Sequence, residues 1–228
     1  MAYLTQFSEQ DISHFVVDSF EKAYTLGFLW GDAYMKHVKA KTGISQVYYP
    51  GLEIVRDDLL VIKDLFSVWG DWICRFRSRP NRRPQGEIAL YDSKFGWFLA
   101  QHDYVIKSIS EPTKILSIIP EDLKQYWWRG FIDADGCFYH NDRWSTNQFS
   151  IAGAFELPWD ETIKMFRQLG IDQYQVQHRT HSKSKSSAIR ISNPNSIVKL
   201  GDYIYADNLH IGLQRKHNKY AMIKNSIK

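Results

Sequence analysis

An internal duplication constrains this chain more than any other feature. Gly27-Phe28 recurs as Gly130-Phe131 and Asp32 recurs as Asp135, each pair 103 residues apart. The run Leu65-Phe-Ser-Val-Trp-Gly70 recurs 100 residues later as Met165-Phe-Arg-Gln-Leu-Gly170. A basic stretch (Arg75, Arg77, Arg79, Arg82, Arg83) is matched by His178, Arg179, His181, Lys183, Lys185 and Arg190. Three features in one order at nearly one spacing imply two copies of one unit. The 228 residues divide into halves of about 110, each a normal domain size. The first half is residues 1–107 and the second 120–228. Residues 108–119, with Pro112, make a short linker that holds them close.

Periodicity predicts helix, two strands, helix, two strands, helix in each copy. In the first copy, residues 18–32 read as a helix, 33–39 as a strand and 47–55 as its hairpin partner. Asp57 and Asp58 open a helix that runs to Gly70. Residues 72–79 alternate, 87–91 return as a strand, and Ser93 caps a helix to Gln101. In the second, a helix follows Pro120 and ends at Asp135. A hairpin (137–141, 148–155), a helix (159–170) and a strand pair (173–181, 188–192) follow. Helices then start near Asn195 and Leu213. Hairpins imply antiparallel sheets. The fold class is therefore α/β (α+β), as two pseudo-symmetric αββαββα repeats.

The two acidic helix ends carry the chemistry. Gly27 and Gly31 lie four apart on one helix face; Gly130 and Ala134 occupy that face in the second copy. A helical glycine costs about 1 kcal/mol against alanine. The loss is explained if the two helices pack on each other below the usual ~8–10 Å separation. Asp32 and Asp135 would then end side by side, where both helix dipoles are negative. Like charge and dipole raise their pKa values unless a cation binds. A hard divalent cation with oxygen ligands, Mg²⁺ or Mn²⁺, fits.

Composition narrows the rest. Hydrophobic residues make up 44% and aromatic residues 15%, enough for a real core, and the net charge is +4. No apolar run approaches the ~18 residues that span a bilayer, and the N-terminus does not read as a signal peptide. Cys74 and Cys137 form no CxxC and no zinc set, which suits a reduced, intracellular setting. No Gly-rich phosphate loop, GxSxG or HExxH occurs. His178 and His181 are metal-spaced, but on a strand they face opposite ways.

Trp128-Arg-Gly-Phe-Ile-Asp-Ala-Asp-Gly136 and, more loosely, Thr25-Leu-Gly-Phe-Leu-Trp-Gly-Asp-Ala33 resemble the LAGLIDADG motif of single-chain, two-motif homing endonucleases. The resemblance covers nearly the whole chain. It implies saddle-shaped sheets in the DNA major groove, Mg²⁺ at Asp32 and Asp135, and double-strand cleavage of a long target by a monomer. The setting would be a bacterial or phage-infected cytoplasm, or an organelle. Two positions depart from the motif. Trp30 replaces its first acid, and Ala33 replaces its last glycine, which strains the turn if positive φ is needed there. Alternatives on the same fold are an intron RNA maturase and a non-cleaving DNA-binding regulator. A protein-interaction module would lack salt-dependent DNA affinity.

If Asp32 points at DNA, alternation puts Tyr34, Lys36 and Val38 on the DNA face, and Cys137, Tyr139 and Asn141 in the second half. The third strands add Arg75, Arg77 and Arg79, and Gln175, Gln177, Arg179 and His181; Arg190 and Ser192 follow. Arg suits guanine edges and Gln adenine edges. The loop residues Arg82, Arg83, Lys183 and Lys185 suit phosphates. Tyr48 and Tyr49 fit either packing or base contact. By the resemblance, Arg215 or Lys216 in the second half and Lys107, or else Lys114, in the first supply the active-site cation. Glu53 and Glu156 are candidates for the polar residue before the second helix.

Overall fold

A computed structural model describes residues 7–39, 46–78, 80, 83–144, 146–181, 184–205 and 211–227. Arg79, Arg82, Lys183 and the His181 side chain lie outside the described residues. After a short helix α1 (Glu9–Ile12), the first repeat runs α2 (Phe20–Asp32), β1 (Tyr34–Lys39), β2 (Gln46–Val55), α3 (Arg56–Ile62), β3 (Ile73–Arg77), β4 (Gln85–Ala89) and α4 (Ser93–Gln101). Helix α5 (Thr113–Ile118) follows. The second repeat runs α6 (Lys124–Asp135), β5 (Gly136–Asn141), β6 (Thr146–Ala154), α7 (Asp160–Gln168), β7 (Gln175–His181), β8 (Ser184–Ile191) and α8 (Pro194–Ile204), and α9 (Gln214–Ser226) closes the chain. The described residues thus form two antiparallel four-stranded sheets, ordered β1-β2-β4-β3 and β5-β6-β8-β7. This is the expected αββαββα order, used twice.

Each sheet has one buried face. Leu52, Ile54 and Ile88 point inward in the first, and Phe149, Ile151 and Ile189 in the second. Aromatic rings fill the space between sheet and helices. Trp69 stacks on Phe95 at 5.0 Å, and Phe15 meets Phe95 edge-on at 5.3 Å. In the second half Phe138 packs on Phe149 at 4.9 Å, and Tyr205 stacks on Tyr220 at 5.6 Å. Residues Ala23 to Trp30 of α2 are buried without interruption. A helix buried on every side sits at the centre of its fold.

Local differences from the periodicity have identifiable causes. The expected helix from Asp57 to Gly70 breaks at Ile62 and continues as a 3₁₀ segment, Lys63–Trp69. Three residues per turn align i with i+3, which sends both Phe66 and Trp69 into the core. Gly70 ends the segment at φ 136°. The cap of α4 is Asp92, one residue before Ser93; its Oδ1 accepts from the Lys94 and Phe95 amides at 2.8 and 3.1 Å. The stretch between the halves is folded, with Ile115 and Leu116 of α5 buried.

Glu111 lies in that stretch and accepts from the Glu161 amide at 2.9 Å, at the start of α7. Burial pushes its carboxyl up to about 7. A carboxyl raised by folding favours the folded state at low pH, and that stability is lost as pH rises toward the folded value. Glu111→Gln keeps an acceptor and removes the titration. It should melt about 2 °C or more above the parent at pH 8, and the two should converge below the ordinary carboxyl value of 4.5. Parallel melting curves at both pH values would contradict this.

Candidate active site at the helix crossing

Helices α2 and α6 touch backbone to backbone. A Cβ on Gly27 would lie 1.9 Å from the Trp127 carbonyl oxygen, and a Cβ on Gly130 would lie 1.9 Å from that of Tyr24. One turn on, a Cβ on Gly31 would meet the Ala134 Cβ at 2.5 Å and Asp135 Oδ2 at 3.3 Å. The crossing thus brings the end of α2 against Asp135. Both helices end by an extended residue, Ala33 at φ −70° and Gly136 at φ −74°. No positive φ is needed, so Ala33 carries no strain. What the second turn requires is space: a Cβ on Gly136 would sit 2.6 Å from the Ile132 carbonyl oxygen.

Asp32 and Asp135 are both open to solvent, yet enough protein surrounds them to disfavour their charged forms. Burial raises Asp135 to about 6, with Asp32 adding to the rise and Lys107 and Lys216 opposing it. Burial also raises Asp32, against Lys107, Lys216 and Arg215. Desolvation therefore outweighs the like charge on Asp135. The two lysines are held by main chain. Lys107 Nζ donates to the carbonyls of Leu29, Trp30 and Gly31 at 3.2, 2.6 and 2.5 Å, capping α2. Burial lowers it to about 8. Lys216 Nζ donates to the Gly136 carbonyl at the end of α6. Among the described residues no three His, Cys, Asp or Glu side chains converge on one point. Two carboxylates beside open solvent do not make a closed cage. They do suit Mg²⁺, which keeps waters and takes one or two carboxylates plus substrate phosphates.

The solvent faces of both sheets flank this centre. In the first, Lys36 pairs with Tyr49, Arg75 with Glu87, and Arg77 with Gln85. Tyr34 lies over Gly51 and donates to Glu87 Oε1 at 2.7 Å, while Arg77 Nη2 donates to Glu87 Oε2 at 2.8 Å. In the second, Cys137, Ser150, Arg190 and Gln175 form one row, and Tyr139 and Gln148 another. Gln177 and Arg179 continue β7 on that face. The paired rows of the second face carry no carboxylate, whereas Glu53 and Glu87 sit side by side on the first.

No protein-family sequence model and no curated protein sequence matches the chain. Solved structures do. I-WcaI bound to its DNA recognition sequence matches with a TM-score of 0.57 at 13% identity, over 93% of this chain and 91% of that one. I-DmoI in complex with DNA and Ca gives 0.56 at 13% identity, over 90% and 97%. The LAGLIDADG homing endonuclease I-LtrWI bound to target DNA gives 0.52 at 15% identity, over 90% and 89%. The chain has the LAGLIDADG homing endonuclease fold.

On that fold, the sequence-derived residues separate into groups. Asp32, Asp135, Lys107 and Lys216 converge at the helix crossing. Lys114 does not; it pairs with Asp103 at 2.7 Å. Tyr34, Lys36, Arg75, Arg77, Tyr139, Asn141, Gln175, Gln177, Arg179 and Arg190 lie on the solvent faces, and Arg83 is exposed beyond β3. Tyr49 joins that face, beside Tyr91 at 5.5 Å, while Tyr48 points to the opposite side. Glu53 is on β2, and Glu156 is in an exposed turn. Lys185 is a correction. It lies within β8, not on a loop, opposite Thr180 on the far face, with Nζ 5.6 Å over the Phe155 ring. The strand starts four residues earlier than the alternation suggested, because the small residues Ser186 and Ser187 carry no hydrophobic signal.

A further acid of the second motif, Asp133, supports this centre. It is fully buried and accepts from Tyr24 and Tyr205 hydroxyls at 2.9 and 3.0 Å and from the Leu213 amide at 2.8 Å. It thereby anchors the start of α9, which carries Arg215 and Lys216. Trp30 takes its place in the first half, packed edge-on against Tyr104 at 5.0 Å. Asp133→Ala strands three buried donors and should cost about 3 kcal/mol or more, read by urea denaturation. A change below 1 kcal/mol would remove Asp133 from this role. The exposed turn with Arg143 over Trp144 at 5.0 Å also escaped notice, since neither residue belongs to the duplicated pattern.

Proposed function

We propose that this protein is a site-specific DNA endonuclease that cleaves both strands of a long target by phosphodiester hydrolysis with Mg²⁺ or Mn²⁺. The observation that carries this reading is the convergence of Asp32 and Asp135 with Lys107 and Lys216 between two polar, cation-bearing sheet faces. The same fold in DNA-bound proteins supports it.

Asp32 and Asp135 would hold the metal. Such an ion lowers the pKa of bound water and stabilises charge on phosphoryl oxygens. The chain itself supplies position and counter-charge. Lys107, fixed by three carbonyls, presents its ammonium beside both acids without a mobile side-chain partner. Lys216 does the same at the end of α6. The sheet faces supply guanidinium and carboxamide donors to base edges. The monomer presents both faces in one chain, and no helix among the described residues is long and apolar enough to cross a membrane.

The test is cleavage of a randomised duplex library. Double-strand products should require Mg²⁺ and vanish with EDTA, and affinity for the selected site should fall steeply with added salt. Selective, salt-sensitive binding without cleavage would favour the regulator; intron RNA splicing without DNA cleavage would favour the maturase.

A further inference from the structure

The first turn of α9 carries two cations, Arg215 and Lys216, at the helix end whose dipole disfavours them. Lys216 is held by the Gly136 carbonyl. Arg215 reaches into the other half of the protein. Its Nε donates to Asp58 Oδ1 and Oδ2 at 2.8 and 3.0 Å, and its Nη2 donates to Oδ2 at 2.6 Å. A two-nitrogen grip of this kind fixes the plane of the guanidinium. Asp58 lies in the first turn of α3, where the dipole favours an acid. Its side chain is 16% exposed, against 56% for Arg215. The carboxylate is thus nearly enclosed while the guanidinium stays open, with Nη1 outside the pair. The exposed partner makes this a poor stabiliser by itself. Its location is informative: Lys216, next in the chain, is tied to the Gly136 carbonyl directly after Asp135, so Arg215 stands beside the same centre.

We propose that Asp58 is a positioning residue that clamps Arg215 from across the two halves, so that the open edge of the guanidinium meets the scissile phosphate beside Asp32. This rests on the nuclease reading above. It makes the centre asymmetric. Lys107 is held by three backbone carbonyls, which side-chain substitution leaves in place. Arg215 is held by one carboxylate that substitution removes.

The experiment uses the full chain, Mg²⁺ and a supercoiled plasmid carrying a site selected from the randomised library, with each strand labelled. Asp58→Asn should slow one strand about 10- to 100-fold, so that nicked plasmid accumulates. Arg215→Met should slow the same strand, and adding Asp58→Asn to it should slow it no further. Asp58→Glu should recover part of the rate. Equal slowing of both strands together with a lower melting temperature would make the pair a mere strut and overturn the proposal. Faster cleavage, or an unchanged rate with an active parent protein, would also overturn it. A parent protein that cuts nothing would overturn the nuclease reading itself.

Discussion

Asp135→Asn should lose double-strand cleavage by at least about a thousandfold, roughly 4 kcal/mol of barrier, while DNA affinity and fold persist. The substitution is close to isosteric and removes one of two carboxylates brought together at the helix crossing. A neutral carboxamide is a weak ligand for a hard divalent cation, and the proposed site has two side-chain anions among the described residues to draw on. Affinity should persist because the groups proposed to read bases, among them Arg75, Gln175 and Arg190, lie on the sheet faces and not at the crossing. The fold should persist because the Asp135 charge is unwelcome there: burial and the neighbouring Asp32 raise its carboxyl to about 6. Stability in metal-free buffer is therefore lost by the parent as pH climbs through that value. The variant should melt at or above the parent at pH 8. Strand-resolved assays at matched occupancy decide the matter. Mg²⁺-dependent cutting of both strands at near the parent rate would remove Asp135 from the metal site.

Features encoded within one repeat were legible in the sequence, as was the crossing that both copies mark with small residues, whereas the other contacts between repeats were not. The order of elements and the acidic helix ends follow from periodicity and spacing, because a helix face or strand face is fixed by residues a few positions apart. The paired glycines even pointed to the α2–α6 crossing, since small residues four apart have little other use inside a helix. Lys107 was reached only through the resemblance; nothing local marks a lysine in a run of turns as the cap of a helix 76 to 78 residues earlier. Asp58 read as an ordinary acid at a helix start, which it also is. Its grip on Arg215 spans 157 residues, and no periodicity reports on that distance. Asp133 was hidden differently. Its partners Tyr24, Tyr205 and Leu213 come from both halves, and the equivalent position, Trp30, is apolar, so the repeat gave no reason to expect a buried acid there.

Gly130→Val tests the crossing itself and should be the most damaging single change to stability. Even the first added carbon would lie 1.9 Å from the Tyr24 carbonyl oxygen and 2.8 Å from the Phe28 amide nitrogen. Both are backbone atoms inside the buried stretch of α2, so no side chain can swing aside. Relief requires α2 and α6 to separate along the whole interface between the halves. A loss of about 4–5 kcal/mol or more is expected, a large share of the roughly 5–15 kcal/mol that holds a typical domain. Gly170→Ala is the contrasting control. Gly170 has φ 64°, and its nearest obstacle is the flexible end of Lys199 at 3.3 Å. Its backbone penalty should stay at about 1–2 kcal/mol. Guanidinium titrations of both variants would show the ranking, and comparable midpoints would mean that the helices are not locked together. Because the same contact sets where the two helices end, it also sets where Asp32 and Asp135 meet. The smaller Gly31→Ala, next to Asp32 in the chain and against the Ala134 Cβ at 2.5 Å and Asp135 Oδ2 at 3.3 Å, should therefore lose cleavage at temperatures where the protein remains folded.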